Sequence, residues 1–155
     1  MHHPAGPVAR ALGLLRALVR DGRLLPRAWR LLGRYQRDLG SEMPLSAEAV
    51  WDAPEGASGH AGEAQRRRAA ELFRLVFWMA RLQSPRPLCL PRALTLLRLL
   101  EEEGAHACLR IGVNRAAGPP PRFHAWVEVD GAPVGDRPEG LAAFQPLRPA
   151  APGGA

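Results

Sequence analysis

Hydrophobic residues recur at helical spacing in four segments between Pro7 and Gly104. This period predicts four helices, because apolar residues three and four positions apart share one helix face. The predicted helices are residues 7–20, 26–39, 63–82 and 89–103. Their candidate core residues include Trp29, Leu32, Tyr35, Leu72, Val76, Phe77, Met79 and Ala80. Between the second and third helices, the prolines and glycines of residues 41–62 predict a loop with at most one short helix near Trp51.

Beyond Gly104 the period changes from helical to alternating. One face of a predicted strand carries Ala107, Leu109, Ile111 and Val113, and the other carries Cys108, Arg110 and Gly112. Residues 123–129 and 132–136 predict two more strands, joined at Asp130 and Gly131. The sequence therefore predicts a single α+β domain over residues 1–145, with a helical half (1–82), a half that packs one helix on a small antiparallel sheet (83–145), and a disordered tail (146–155).

Composition and charge narrow the class of protein. The chain has 155 residues and a formal net charge of +6, and every basic residue is an arginine. Such a surface suits an acidic peptide or a nucleic acid, but aromatic residues are few and no nucleic-acid recognition motif is present, so we expect no nucleic-acid partner. We place the Arg66 to Arg68 run on the solvated face of a helix. No signal peptide or membrane-spanning run is evident, and a reducing cytoplasm is the expected location.

Cys89 stands where an extended segment turns into a helix. Two prolines precede it, and Pro91 falls in the first turn, where the missing N–H costs nothing. The unpaired N–H groups and positive dipole of a helix start favour a thiolate, which is the nucleophilic form of cysteine. The alternative is a small apolar residue in a helix core. Cys108 is expected to pack as such a residue in its strand.

His124 and Asp136 supply the other groups that a nucleophilic cysteine needs, a base and an acid that orients it. A two-residue turn would place Asp136 opposite Ala125, with its side chain on the face away from His124. A three-residue loop, with Gly131 left-handed, would place Asp136 directly opposite His124, and we predict this loop. Taken singly, a structural histidine and a loop-capping aspartate are the alternatives.

An oxyanion hole and a metal site are the remaining chemical questions. The Cys89 backbone N–H is a natural oxyanion donor, and Gln83 is a second candidate because papain-like enzymes carry a glutamine six residues before the cysteine. A surface glutamine before a loop is the alternative reading of Gln83. Cys89, Cys108, His106 and His124 show no zinc-motif spacing, so no metal or other cofactor is predicted.

Two segments, CLPRALTLLRLLEEEGAHACLRIGV and FHAWVEVDGAPVGD, resemble the transglutaminase-like cysteine protease domain of lasso-peptide biosynthesis B proteins. The pattern of that family is a C-L-x-R/Q-A/S-L helix, an R-L-x-I-G-V strand and an H-A-W-V-E-V-D-G hairpin that ends in aspartate. The resemblance implies that Cys89 is the nucleophile, His124 the base and Asp136 the orienting acid. It also implies cleavage of a leader peptide from a ribosomally made precursor, often after a leader whose penultimate residue is threonine.

The resemblance implies partners as well. The freed core amine would be closed into a macrolactam by a separate ATP-dependent cyclase. The first half of the chain is helical and lacks the three-stranded sheet of the leader-recognition module, so the chain resembles the split form that needs a separate leader-recognition protein. Two alternatives stay open: transglutaminase-type amide transfer through the same triad, and a peptide-binding scaffold without catalysis.

Overall fold

The computed structural model describes residues 21–38 and 62–147. Its elements, in chain order, are α1 (Leu24–Asp38), α2 (Glu63–Gln83), α3 (Cys89–Glu102), β1 (Ala107–Asn114), β2 (Arg122–Val129), β3 (Ala132–Pro133), α4 (Pro138–Leu141) and β4 (Gln145–Pro146). The predicted helix 7–20, almost all of the 41–62 loop and the residues beyond 147 lie outside this description. No helix in the described ranges is long and apolar enough to cross a membrane.

Helix α3 lies at the centre of the domain, in contact with α1, α2, β1 and β2. Its buried residues are Pro91, Ala93, Leu94, Thr95, Leu96, Leu99 and Leu100. This set is wider than one helical stripe, because helices cover one side of α3 and the sheet covers another. The helix ends in a Schellman motif: the Ala105 N–H donates to the Leu100 carbonyl at 2.9 Å, and Gly104 takes a left-handed φ of 74°.

The sheet is antiparallel, with strand order β3-β2-β1-β4. In β1 and β2, Ala107 pairs with Val129 and Ile111 with Ala125, so the alternation predicted for β1 is reproduced. The apolar face of this pair joins the same core as α3. The predicted α+β class, with the cysteine-bearing helix packed on a small antiparallel sheet, is confirmed.

The predicted three-residue hairpin loop is wrong. Val129 pairs with Ala132, and the two residues between them, Asp130 and Gly131, have φ angles of 51° and 73°. Two consecutive left-handed residues form a type I′ turn, whose twist matches that of the flanking strands. The third strand is also shorter than the predicted 132–136, since β3 ends at Pro133.

The end of the sheet extends past the predicted domain boundary. Pro146 pairs with Gly112 in β4, and the Leu147 N–H donates to the Ile111 carbonyl at 2.8 Å. The predicted disordered tail therefore begins too early. Two core predictions also differ from the structure: the Trp29 side chain is 46% exposed, and Phe77 is only partly buried.

Arg68 joins the three long helices, contrary to the prediction that the whole Arg66 to Arg68 run is solvated. Its guanidinium donates to both carboxylate oxygens of Asp21, at 2.7 and 2.9 Å, and to Glu103 at 2.8 Å. Asp21 is buried just before α1, and Glu103 follows α3. A single planar guanidinium thus connects the N-terminal end of α1, the first half of α2 and the C-terminal end of α3.

We expect Arg68→Ala to destabilise the fold by about 2–4 kcal/mol, between the cost of a lost charged hydrogen bond and that of an orphaned buried ion. Arg67→Ala is the matched control, because Arg67 is exposed and, among residues 21–38 and 62–147, pairs with the exposed Glu63. Urea unfolding followed by circular dichroism measures both free energies. Equal losses in the two variants would contradict the role assigned to Arg68.

Candidate active site

Cys89 is the first residue of α3, as predicted. Leu88 precedes it in an extended conformation and makes no side-chain cap, so the free N–H groups of the first turn are not capped by that residue. The thiol is half-buried. The positive, N-terminal end of the α3 dipole thus lies at the Cys89 sulfur, which is nucleophilic when it is a thiolate.

Interaction with the His124 imidazole lowers the pKa of the Cys89 thiol and is the largest cause of its shift, and the backbone groups of Ala125 and Leu90 lower this pKa further. Burial acts in the opposite direction because it penalises the charged thiolate, but the net shift is downward. Backbone groups of Ala125 in β2 and Leu90 in α3 therefore both stabilise the thiolate.

Asp136 is the second partner of the His124 imidazole. Its Oδ1 is 3.4 Å from His124 Nε2. Asp136 is the largest cause, and Cys89 the second, of a rise in the pKa of His124 to about 9, against the opposing effect of burial. The opposite shifts of the two groups favour an imidazolium beside a thiolate over the neutral pair.

Asp136 reaches His124 even though the hairpin has the two-residue turn that was expected to separate them. The alternation of side chains holds only while a strand continues, and β3 stops at Pro133. Gly135 then turns the chain with a left-handed φ of 81°. A Cβ at Gly135 would overlap the Phe73 ring of α2, so the turn needs glycine for both its conformation and its close packing.

A family model for the transglutaminase-like superfamily matches residues 31–149. The chain belongs to this superfamily. Transglutaminase-like proteins include cysteine proteases and transglutaminases, and they are typically cysteine-dependent enzymes. The match runs from within α1 past β4 and contains Cys89, His124 and Asp136. Comparison with curated proteins and with solved structures gave no significant match.

A small, mostly apolar pocket adjoins the transglutaminase-like site. Cys89 and Asp136 contribute to its wall, together with Phe73, Val76, Phe77, Arg92, Ala93, Leu96, Ala125, Trp126, Val127 and Val134. Arg92 lies one helical turn after Cys89, with its guanidinium carbon 5.6 Å from the centre of the Phe77 ring. Its buried Nε has no hydrogen-bond partner in the described part of the chain. The pocket thus offers an unused donor among apolar walls.

Gln83 has a different partner from the one an oxyanion role requires. Its side-chain amide donates to the Trp29 carbonyl at 2.9 Å and so ties the end of α2 to α1. The sequence suggested two oxyanion donors, the Gln83 amide and the Cys89 N–H. Of these two, the Cys89 N–H is next to the thiol because it belongs to the same residue. The Gln83 amide therefore has a structural partner in α1.

Cys108 and His106 are not among the groups that shift the pKa of Cys89. Burial raises the pKa of the Cys108 thiol, whose sulfur is 4.0 Å from a Glu128 carboxylate oxygen. Within residues 21–38 and 62–147, no group of three or more His, Cys, Asp or Glu side chains is arranged to hold a metal ion. The two thiols of the chain therefore have opposite shifts, and only Cys89 has the shift of a nucleophile.

Three residues of this region were missed by the sequence analysis: Arg92, Gly135 and Trp126. Each carried a usable signal. Arg92 shares a helix face with Cys89 at a spacing of three, Trp126 shares a strand face with His124 at a spacing of two, and Gly135 directly precedes the proposed acid.

We expect Gly135→Ala to impair the Cys89–His124 pair, because the new methyl group would push Asp136 or Phe73 out of place. Gly131→Ala is the matched control: it has a similar left-handed φ but open space around the Cβ position. Both variants should lose about 1–2 kcal/mol of stability from the left-handed backbone. Only Gly135→Ala should slow iodoacetamide alkylation of Cys89 at pH 6, measured by peptide mass mapping. Equal alkylation rates in the two variants would refute the link between Gly135 and the site.

Proposed function

We propose that the chain is a cysteine endopeptidase that removes the leader peptide from a lasso-peptide precursor. The observation that carries the proposal is that Asp136 lies 3.4 Å from His124, and His124 interacts with the Cys89 thiol at the start of α3. In this proposal Cys89 is the nucleophile, His124 the general acid and base, and Asp136 the group that orients the imidazole.

The proposed reaction follows from the charge state of the pair. The Cys89 thiolate attacks the scissile carbonyl carbon, and the His124 imidazolium gives its proton to the leaving amine as the C–N bond breaks. The resulting thioester is attacked by water, whose proton passes to the neutral imidazole. The C–S bond then breaks, which releases the leader as a carboxylic acid and restores the thiolate and imidazolium.

The start of α3 suits the negative charge that develops on the carbonyl oxygen. The Cys89 N–H is the first of the helix, has no intrahelical acceptor and lies next to the reacting sulfur. Backbone donors fixed in a helix do not need to reorganise during the reaction, which is the basis of oxyanion stabilisation. We therefore assign one oxyanion donor, the Cys89 backbone N–H.

Support for a leader peptide as the substrate comes from the resemblance of the last half of the chain to lasso-peptide B proteins. In that scheme a separate leader-recognition protein presents the precursor, and an ATP-dependent cyclase uses the freed amine. A pocket lined by Cys89 and Arg92 lies beside the thiol. We propose that the Arg92 Nε donates to the hydroxyl of a threonine placed there.

The central test uses the precursor peptide and the small recognition protein that the proposal expects to be encoded beside this gene. Wild-type protein should cut the precursor once, faster when the recognition protein is present, because tethering raises the effective concentration of the scissile bond. Cys89→Ala should abolish cleavage and keep the circular dichroism spectrum, whereas Cys108→Ala should retain activity. Liquid chromatography with mass spectrometry follows leader and core.

Product masses distinguish the alternatives. A leader that ends in a free carboxylate supports hydrolysis, and a leader joined to an added amine supports amide transfer instead. An intact precursor that still binds the folded protein would identify a peptide-binding scaffold. Cleavage that survives in Cys89→Ala would refute the nucleophile assignment.

We expect Arg92→Met to lower kcat/KM for a threonine-containing precursor by about tenfold, the cost of one hydrogen bond of about 1.4 kcal/mol. Replacing that threonine by valine should cost the wild-type enzyme a similar factor and cost Arg92→Met little. A double-mutant cycle over enzyme and substrate gives the coupling between the two groups. Additive losses would show that Arg92 does not contact the threonine.

A further inference from the structure

One face of β2 carries His124, Trp126 and Glu128, which alternate with the core residues of the strand. Across the sheet they pair with Gly112, Arg110 and Cys108 of β1. Residues two apart on a strand lie on the same face, so these side chains form one row that begins at His124 of the proposed active site. Neighbouring side chains in this row are joined by ring stacking and by hydrogen bonds.

Trp126 connects His124 to a charged pair. Its indole ring lies 6.0 Å from the imidazole, centre to centre, at an interplanar angle of 17°. The indole Nε1–H donates to Glu128 at 2.9 Å, and the other Glu128 oxygen accepts from Arg110 Nε at 3.1 Å. Because the Trp126 side chain is nearly buried and its one polar atom is fixed, the plane of the ring is held.

Gly112 makes room for this arrangement. It is the cross-strand neighbour of His124, and a Cβ at this position would lie 3.0 Å from two atoms of the Trp126 ring and 2.9 Å from Phe144 Cβ. Phe144 itself lies 5.4 Å from the imidazole. The space that a side chain at position 112 would occupy is thus filled by the two aromatic rings that contact His124.

We propose that Trp126, fixed by Glu128 and by the absence of a side chain at Gly112, is a positioning residue that holds the His124 ring in the orientation shared by Cys89 and Asp136. The parallel indole limits rotation of the imidazole, so that Nε2 stays toward Asp136. An aromatic face about 6 Å from a cation also favours the protonated imidazole. The inference builds on the proposed catalytic pair, but its test needs no peptide.

The charged and titratable groups around the pair come from four parts of the fold. Asp136 follows β3, Arg92 lines the same pocket from α3, and Glu128 and Arg110 lie on the sheet face of His124, in β2 and β1. Asp136 is the largest influence on the pKa of His124. Loss of Trp126 should weaken this influence by letting the ring turn away from the carboxylate.

The experiment measures the rate of Cys89 alkylation by iodoacetamide from pH 4 to pH 10, with peptide mass mapping to separate Cys89 from Cys108. Trp126→Leu should move the rise in rate to higher pH and reduce the rate at pH 6 by about tenfold, which corresponds to one pK unit. The rate at pH 10, where the thiol is ionised in any case, should stay the same. A residue that only stabilises the fold would not shift the profile in this way.

Two further variants test the same proposal if Trp126→Leu does not fold. Gly112→Ala should displace the indole, and Glu128→Gln should loosen it, so both should shift the alkylation profile in the same direction by a smaller amount. Trp29→Leu, Gly140→Ala and Glu101→Gln are the matched controls and should leave the profile unchanged. Unchanged profiles in the folded Trp126, Gly112 and Glu128 variants would overturn the proposal, even if precursor cleavage were confirmed.

Discussion

The burial of α3 on nearly every side is the constraint on which the rest of the structure depends. A helix covered by both helices and a sheet cannot slide or rotate without exposing large apolar side chains, each worth about 1.5–3 kcal/mol when buried. Its first residue is therefore held at one point relative to β2. Cys89 occupies that point, so the position of the thiol follows from the packing of leucines up to three turns away.

The charges of the site are stabilised by one another more than by solvent. A half-buried thiolate or imidazolium alone would be costly, and burial indeed opposes both pKa shifts. Asp136 and Cys89 raise the pKa of His124, His124 lowers the pKa of Cys89, and backbone groups of α3 and β2 lower the pKa of Cys89 further. Such a set forms only when all parts are in place, which links the chemistry of the site to the completeness of the fold.

Much of this arrangement could be predicted from the sequence, because it depends on local periods. The helical stripe and Pro91 placed Cys89 at the start of a helix, and the alternation after Gly104 gave the face of each residue in β1. The proximity of His124 and Asp136 was predicted from an incorrect register. A period of two cannot indicate where a strand stops, and the turn at Gly135 depends on Phe73, which is distant in sequence. Arg68 likewise appeared solvated until Asp21 and Glu103 were placed beside it.

The contact of Gly135 with Phe73 has a consequence for the autonomy of the two halves of the chain. Residues from Cys89 onward contain the thiol, the imidazole and the carboxylate, and resemble a self-contained catalytic unit. However, the turn that carries Asp136 rests on an aromatic ring of α2, and α2 also supplies Phe77 to the pocket wall. The segment from Cys89 onward thus depends on α2. Cutting the chain before Cys89 would separate Asp136 from the Phe73 ring on which its turn packs.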